Sequence, residues 1–154
     1  MHGNPTVLKV LNDLLADELT AINQYIVHSE LCSNWGYGKL HDAIEKRAID
    51  EMKHAESLIA RLLFLEGVPT VSKLNAIRVG KSVKEIVAAD SESEVGAVKA
   101  YNEAIRIAVE AADNGTRDLL ERTLKDEEAH IDWLEAQHDQ IGQMGIENYL
   151  ANQV

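Results

Sequence analysis

The sequence predicts an all-α fold: a four-helix bundle with one long crossover between helices two and three, plus a short C-terminal helix. Three observations point to it. Apolar residues recur at helical spacing through four long stretches. Two short connections flank one long one. The two halves also repeat chemistry-bearing residues at one offset: Glu18 and Glu94, Tyr25 and Tyr101, Asp50 and Asp126, Glu51 and Glu127, His54 and His130, and Leu58 and Leu134 each lie 76 positions apart.

Asn4-Pro5 opens the first helix, with the asparagine side chain as cap and proline at the first helical position. Val7, Leu8, Leu11, Leu14, Leu15, Leu19, Ile22 and Ile26 then mark its apolar face, and it ends near Trp35-Gly36. The second runs from about Gly38 to Glu66 through Leu40, Ile44, Ile49, Leu58, Leu62 and Leu65, with Gly67 and Pro69 as stop signals. Residues 67–81 show no long helix. Ser82-Val83-Lys84-Glu85 is a capping box for the third helix, expected to reach about Asp113, where Asn114-Gly115 breaks it. A fourth follows from about Thr116 to Gly142. Gly145 then separates the tail, Ile146 to Gln153, which can form a final short helix.

Connection lengths set the topology. Short links make antiparallel hairpins of helices one and two and of helices three and four. A helix of ~28 residues is ~42 Å long, and roughly 15 extended residues can span ~50 Å. The middle link can therefore cross the whole bundle and leave helices two and three parallel.

Composition bounds the function. The 154 residues suit one domain, 1–154, and 45% hydrophobic with only 5% aromatic residues implies an aliphatic core. No apolar run approaches the roughly 18–20 residues of a membrane span. The amino terminus lacks a basic region followed by an apolar stretch, so no secretory signal is read. One cysteine, Cys32, permits no internal disulfide, which fits a reducing cytoplasm. A net charge of −11 argues against nucleic-acid binding and is compatible with attracting cations.

Glu51-x-x-His54 and Glu127-x-x-His130 each place a carboxylate and an imidazole on one helix face. One such motif alone would read as a solvated face. The duplicated set, with Glu18 and Glu94 entering from the other helices among apolar neighbours, reads as a site for two metal ions. Four buried carboxylates are otherwise prohibitively costly. With imidazoles and no thiolate, iron or manganese fits better than structural zinc. Pseudo-symmetry assigns Glu18 and His54 to one ion and Glu94 and His130 to the other, with Glu51 and Glu127 bridging. Asp50 and Asp126 point about 100° away from the motif glutamates and are expected outside the ligand set. Tyr25, two turns after Glu18, can approach the site to donate a hydrogen bond or an electron, or be a buried tyrosine with a satisfied hydroxyl. Tyr101 occupies the equivalent place. Met52 points to another side of its helix, onto an outward apolar stripe with Ile49 and Ile59, flanked by Leu19, Ile22, Asn23 and Ile26. Such a stripe suggests a subunit interface.

Ile22-Asn23-Gln24-Tyr25, Asp50 to Ala55, Leu63 to Gly67, Asp126 to Glu135 and Glu147 to Leu150 resemble bacterioferritin over essentially the whole chain. The resemblance implies a ferritin-like fold and iron storage in a hollow shell of 24 subunits, some shells mixing two ferritin subunit types. It implies a di-iron ferroxidase centre that oxidises Fe(II) with dioxygen or hydrogen peroxide. The family's six ligands match Glu18, Glu51, His54, Glu94, Glu127 and His130. Its haem b lies on a two-fold axis between two methionines, matching Met52. A small iron–sulfur ferredoxin is the implied electron donor for iron release. Glu45 stands where many members have tyrosine. Lys46 replaces the histidine that, with the aspartate here at Asp50, forms an inner-surface iron site in some members, and Lys46 could pair with Asp50 instead. The competing readings are a scaffolding or haem-binding shell subunit with little ferroxidase activity, and a rubrerythrin-like di-iron peroxidase. A single cysteine and no further domain weigh against the second.

Overall fold

The computed structural model describes residues 1–154. It contains α1 (Pro5–Asn34), α2 (Gly38–Phe64), α3 (Val83–Glu110), α4 (Asn114–Met144) and α5 (Ile146–Ala151). The fold class agrees with the sequence expectation. In the bundle, α1 packs against α2 and α3, while α4 packs against α3, α2 and the terminal α5. Helices α2 and α3, joined by the crossover, run parallel. No helix is long and apolar enough to cross a membrane.

Local chemistry sets the helix starts. Asn4 Oδ1 accepts from Thr6 N at 2.8 Å with Pro5 at the first position, and Ser82 Oγ accepts from Glu85 N at 3.2 Å. The ends depart from expectation at three points. Helix α2 stops at Phe64, two residues early, because Glu66 adopts the left-handed conformation (φ 59°) and Gly67 N donates back to Leu62 O at 2.8 Å. A Cβ on Gly67 would lie 2.7 Å from Leu8 Cδ2 and 3.3 Å from Leu62 O, so the Leu8 side chain would have to give way. The α3–α4 turn comes earlier than Asn114-Gly115, at Ala111 to Asp113. Ala112 takes the left-handed conformation (φ 55°), and Asp113, held by Arg61 at 2.9 Å, caps α4 by accepting from Thr116 N at 3.0 Å. Asn114 and Gly115 therefore belong to the first turn of α4. That helix also continues through Gly142 to Met144, stopping at Gly145 (φ 80°).

Two apolar cores fill the bundle, one toward each end. The first unites Val7, Leu11, Leu58, Leu62, Ala104 and Leu120; the second unites Cys32, Leu40, Ile44, Ile86, Leu134 and Tyr149. The duplicated acidic residues lie between them.

The crossover is strapped to α1 by a polar stripe. Asn12 Nδ2 donates to Val68 O at 3.0 Å and its Oδ1 accepts from Thr70 N at 2.8 Å. Thr20 Oγ1 accepts from Asn75 N at 2.8 Å, Gln24 Oε1 from Arg78 N at 3.2 Å, and His28 Nε2 from Gly80 N at 3.0 Å. Because Nε2 accepts, Nδ1 carries the proton and donates to buried Asp90 at 2.8 Å. These bonds satisfy backbone groups that a structureless link would otherwise leave unpaired against the bundle. A Cβ on Gly80 would lie 2.5 Å from Ile86 N and 2.8 Å from Glu85 C, both backbone. Gly80→Ala is thus expected to destabilise the fold by about 1–3 kcal/mol, measured by chemical denaturation. An unchanged midpoint would mean the loop tolerates a shift there.

Candidate metal centre

Each helix of the bundle contributes to one buried cluster: Glu18 from α1, Glu51 and His54 from α2, Glu94 from α3, and Glu127 and His130 from α4. The i, i+3 spacing brings Glu51 and His54 to one face of α2, with His54 Nδ1 at 3.3 Å from Glu51 Oε2. Donor atoms gather in two groups that share Glu51. One comprises Glu18, Glu51, His54 and Glu127; the other comprises Glu51, Glu94 and His130. His54 Nδ1 is also 3.1 Å from Glu127 Oε1 and 3.8 Å from Glu18 Oε2, while His130 Nδ1 is 2.8 Å from Glu94 Oε1.

Buried atoms here lack hydrogen-bond partners: Glu18 Oε2, Glu51 Oε1, Glu94 Oε2, Glu127 Oε1 and His130 Nδ1. Neighbouring charges approach some of them, but off the hydrogen-bonding direction. Five of the six expected ligand residues thus present an unsatisfied lone pair or ring nitrogen toward the centre. Such groups are rare in protein interiors. All-oxygen and imidazole donors match divalent iron or manganese in chemistry.

The tyrosines pair across the pseudo-symmetry. Tyr25 on α1 donates to Glu94 on α3, and Tyr101 on α3 donates to Glu18 on α1 at 2.6 Å. Tyr25 also meets the His130 ring edge-on, with centroids 5.7 Å apart. Both hydroxyls are held well above the usual phenol range, by burial first and then by the adjacent carboxylates. They are therefore donors, fixing the glutamates' orientation. Asp126, outside the cluster as expected, accepts from the far face of His54, with its Oδ2 3.0 Å from Nε2. That contact leaves Nδ1 facing the carboxylates.

Arg47, passed over in the sequence, lies inside the site with only 7% of its surface exposed. Its Nη2 is 2.7 Å from Glu51 Oε1, 2.9 Å from Glu127 Oε2 and 3.5 Å from Glu94 Oε2. The available signal was its position one turn before Glu51 on the same face.

Burial and close packing of the carboxylates drive their acidities apart. Glu18 is raised well above its usual range by burial and by the adjacent Glu51 carboxylate. Burial, and then the adjacent Glu94 carboxylate, raises Glu127 to about 9. Burial also pushes against ionisation of Glu51 and Glu94. For Glu51 the neighbouring Glu18 and His54 and the Arg47 charge outweigh it, holding the group at about 2. Glu94 is lowered by the adjacent Glu127 and His130. Burial disfavours a charged His54, yet the Glu127 and Glu51 carboxylates beside it raise it to about 10.

A cleft of about 240 Å³ reaches the cluster from the side where the crossover lies on α1. Asp17, Thr20 and Asn75 stand on its walls, and Glu18, Glu51 and Glu94 line it as well. Met52 is not in the cluster. It is 45% exposed on α2, alongside Ile49 and Ile26, which are also exposed. Leu19, Ile22 and Ile59 sit half-buried behind them. Lys46 forms no ion pair with Asp50; both line a separate cleft on the α2–α4 face.

The ferritin-like domain family matches residues 8–144. The chain is 40% identical over 151 residues to the bacterioferritin of Mycolicibacterium paratuberculosis, covering 98% of this chain and 95% of that one. It is likewise 40% identical to the bacterioferritin of Mycobacterium leprae at the same coverage. Identity to the Brucella melitensis bacterioferritin is 40% over 149 residues, covering 97% and 92% of the two chains. With a helical bundle of the expected topology and relatives matched from end to end, the chain belongs to the bacterioferritin family.

Proposed function

We propose that this protein stores iron and that its bundle centre is a ferroxidase site for two Fe(II) ions. The carrying observation is the convergence of five unsatisfied donor residues between two apolar cores. Glu18 and His54 would hold one ion and Glu94 and His130 the other, with Glu51 and Glu127 spanning both. Iron enters as substrate, drawn along the cleft past Asp17. Two adjacent ions supply two electrons together. Dioxygen then takes up two electrons and two protons to give hydrogen peroxide, or peroxide takes up two of each to give two waters, and two Fe(III) result. Tyr25 and Tyr101 keep Glu94 and Glu18 aimed at the centre, while Asp126 orients His54. Ferric ions then hydrolyse and pass into the cavity of a shell, here proposed to hold 24 subunits with a mass of about 410 kDa from chains of 17.1 kDa.

Stopped-flow absorbance after adding Fe(II) to the metal-free assembly tests the reading, with dioxygen and peroxide in parallel. A fast phase saturating near two irons per subunit is expected, followed by slower uptake. No fast phase in an intact shell would sink it. One observation favours the runner-up, a shell subunit with slow oxidation: the Arg47 charge already sits among the bridging carboxylates.

Met52 fits a haem-binding role in donor chemistry: a soft thioether exposed on an apolar face. The proposal is that Met52 from each of two subunits would hold one haem b, which would supply one-electron chemistry for iron release, with a small iron–sulfur ferredoxin as donor. Met52→Leu should abolish the haem Soret band and leave Fe(II) oxidation within about twofold of the parent, because Met52 lies outside the cluster. Haem retained at full occupancy would remove Met52 as ligand.

A further inference from the structure

Arg47 is a second cation source built into the site, and its contacts are selective. Its Nη2 touches Glu51 and Glu127 and lies 3.5 Å from Glu94. Glu51 and Glu127 are assigned to both metal positions, and Glu94 is the terminal carboxylate of the second. Arg47 makes no ion pair with Glu18, the terminal carboxylate of the first. Hydrogen bonding around it is incomplete: Arg47 Nε is buried without a partner, and Glu51 Oε1 and Glu94 Oε2 remain unsatisfied beside the guanidinium. A fixed structural arginine would normally spend its donors in planar, paired bonds. This one is a poorly satisfied occupant.

It also has somewhere to go. A cleft of about 440 Å³ opens beside it between α2 and α4, lined by Lys46, Arg47, Asp50, Asp126 and Trp133 among others. Asp50 is three residues after Arg47 and shares its helix face, so the guanidinium can exchange Glu51 for Asp50 by side-chain rotation alone. Nη1 already lies 3.5 Å from the Asp126 carbonyl oxygen on that side.

Resting on the dimetal reading above, we propose that Arg47 is a tethered cation that holds the second metal position until a divalent ion displaces it outward to Asp50. The two positions then load unequally: the Glu18–His54 position binds first, and the Glu94–His130 position binds more weakly because it must evict a guanidinium. The displaced charge ends near solvent, and two bridging carboxylates are freed for the ion. Two like charges cannot share that pocket at such distances.

The test is calorimetric titration of the metal-free shell with Co(II), which does not turn over, followed also by its visible absorption. The expected parent result is two ions per subunit, the second bound at least about tenfold more weakly. Arg47→Leu should tighten the second ion about tenfold or more, lower the melting temperature of the metal-free shell, and regain stability on adding Co(II). Asp50→Asn should do the opposite, weakening the second ion about threefold through loss of the outward partner while leaving the metal-free melting temperature unchanged. Should Arg47→Leu fail to assemble, the Asp50→Asn shift decides the matter. Two ions bound with unchanged affinities in both variants would overturn the arginine's role and leave the dimetal site standing. One ion per parent subunit at saturation, against two in Arg47→Leu, would overturn the swing and make Arg47 a permanent plug. No Co(II) bound by parent or variant would overturn the dimetal reading and the inference with it.

Discussion

Removing Glu51 and His54 together is expected to slow Fe(II) oxidation by about two orders of magnitude or more while the shell still assembles. Glu51 belongs to both donor groups, and His54 is the nitrogen donor of the first. Losing both leaves Glu18 and Glu127 as the remaining donors of that group. Assembly should survive because the two apolar cores that hold the helices lie to either side of the cluster. Stopped-flow absorbance gives the rate, and size-exclusion chromatography reports the shell. Rapid oxidation persisting in an assembled Glu51→Ala/His54→Ala variant would place the chemistry elsewhere.

The second large effect is on pH. Glu127 is raised to about 9 and His54 to about 10, so both carry protons at neutral pH before metal binds. A divalent ion needs both deprotonated. Loading with Zn(II) at pH 7 is therefore expected to release about two protons per subunit from these groups, with a further contribution from Glu18, also raised by burial, and affinity should rise with pH. The sign for stability is the reverse. Both folded-state values exceed the unfolded ones, so their stabilisation is fully present below the unfolded values, near 4.5 and 6.5. It is lost as pH rises toward 9 and 10. Glu51, held at about 2, adds stability above 4.5 that disappears only in strong acid. The metal-free shell should consequently melt on the order of 5 °C lower at pH 9 than at pH 6, and Zn(II) should close that gap. Scanning calorimetry with and without metal, beside a pH-stat titration, measures both. No proton release would mean that the cluster is already ionised, contrary to the raised values of Glu127 and His54.

The α3–α4 turn shows how far local signals carry. Asn114-Gly115 is a strong turn dipeptide, yet the chain reverses one step earlier, at Ala112. Arg61 anchors Asp113, and Asp113 then caps α4 better than a residue further on. The deciding partner comes from a helix more than 50 residues away, beyond the reach of any local window. The same holds for Gly67, which packs closely against Leu8 from α1. The straps along α1 were equally hidden. Asn12, Thr20, Gln24 and His28 read as ordinary polar positions until the crossover lies against them.

By itself the sequence determined the four long helices, their pairing into hairpins, and the six residues that meet at the centre. Helical periodicity and i, i+3 spacing are geometric properties of one segment, and the repeat at 76 positions transfers that geometry from one half to the other. Only the tertiary structure decided the cross-pairing of Tyr25 with Glu94 and Tyr101 with Glu18, the support of His54 by Asp126, and the intrusion of Arg47. A long or polar side chain goes where charge and hydrogen bonding are best satisfied. Those partners stand on other helices, so their positions exist only once the bundle has packed.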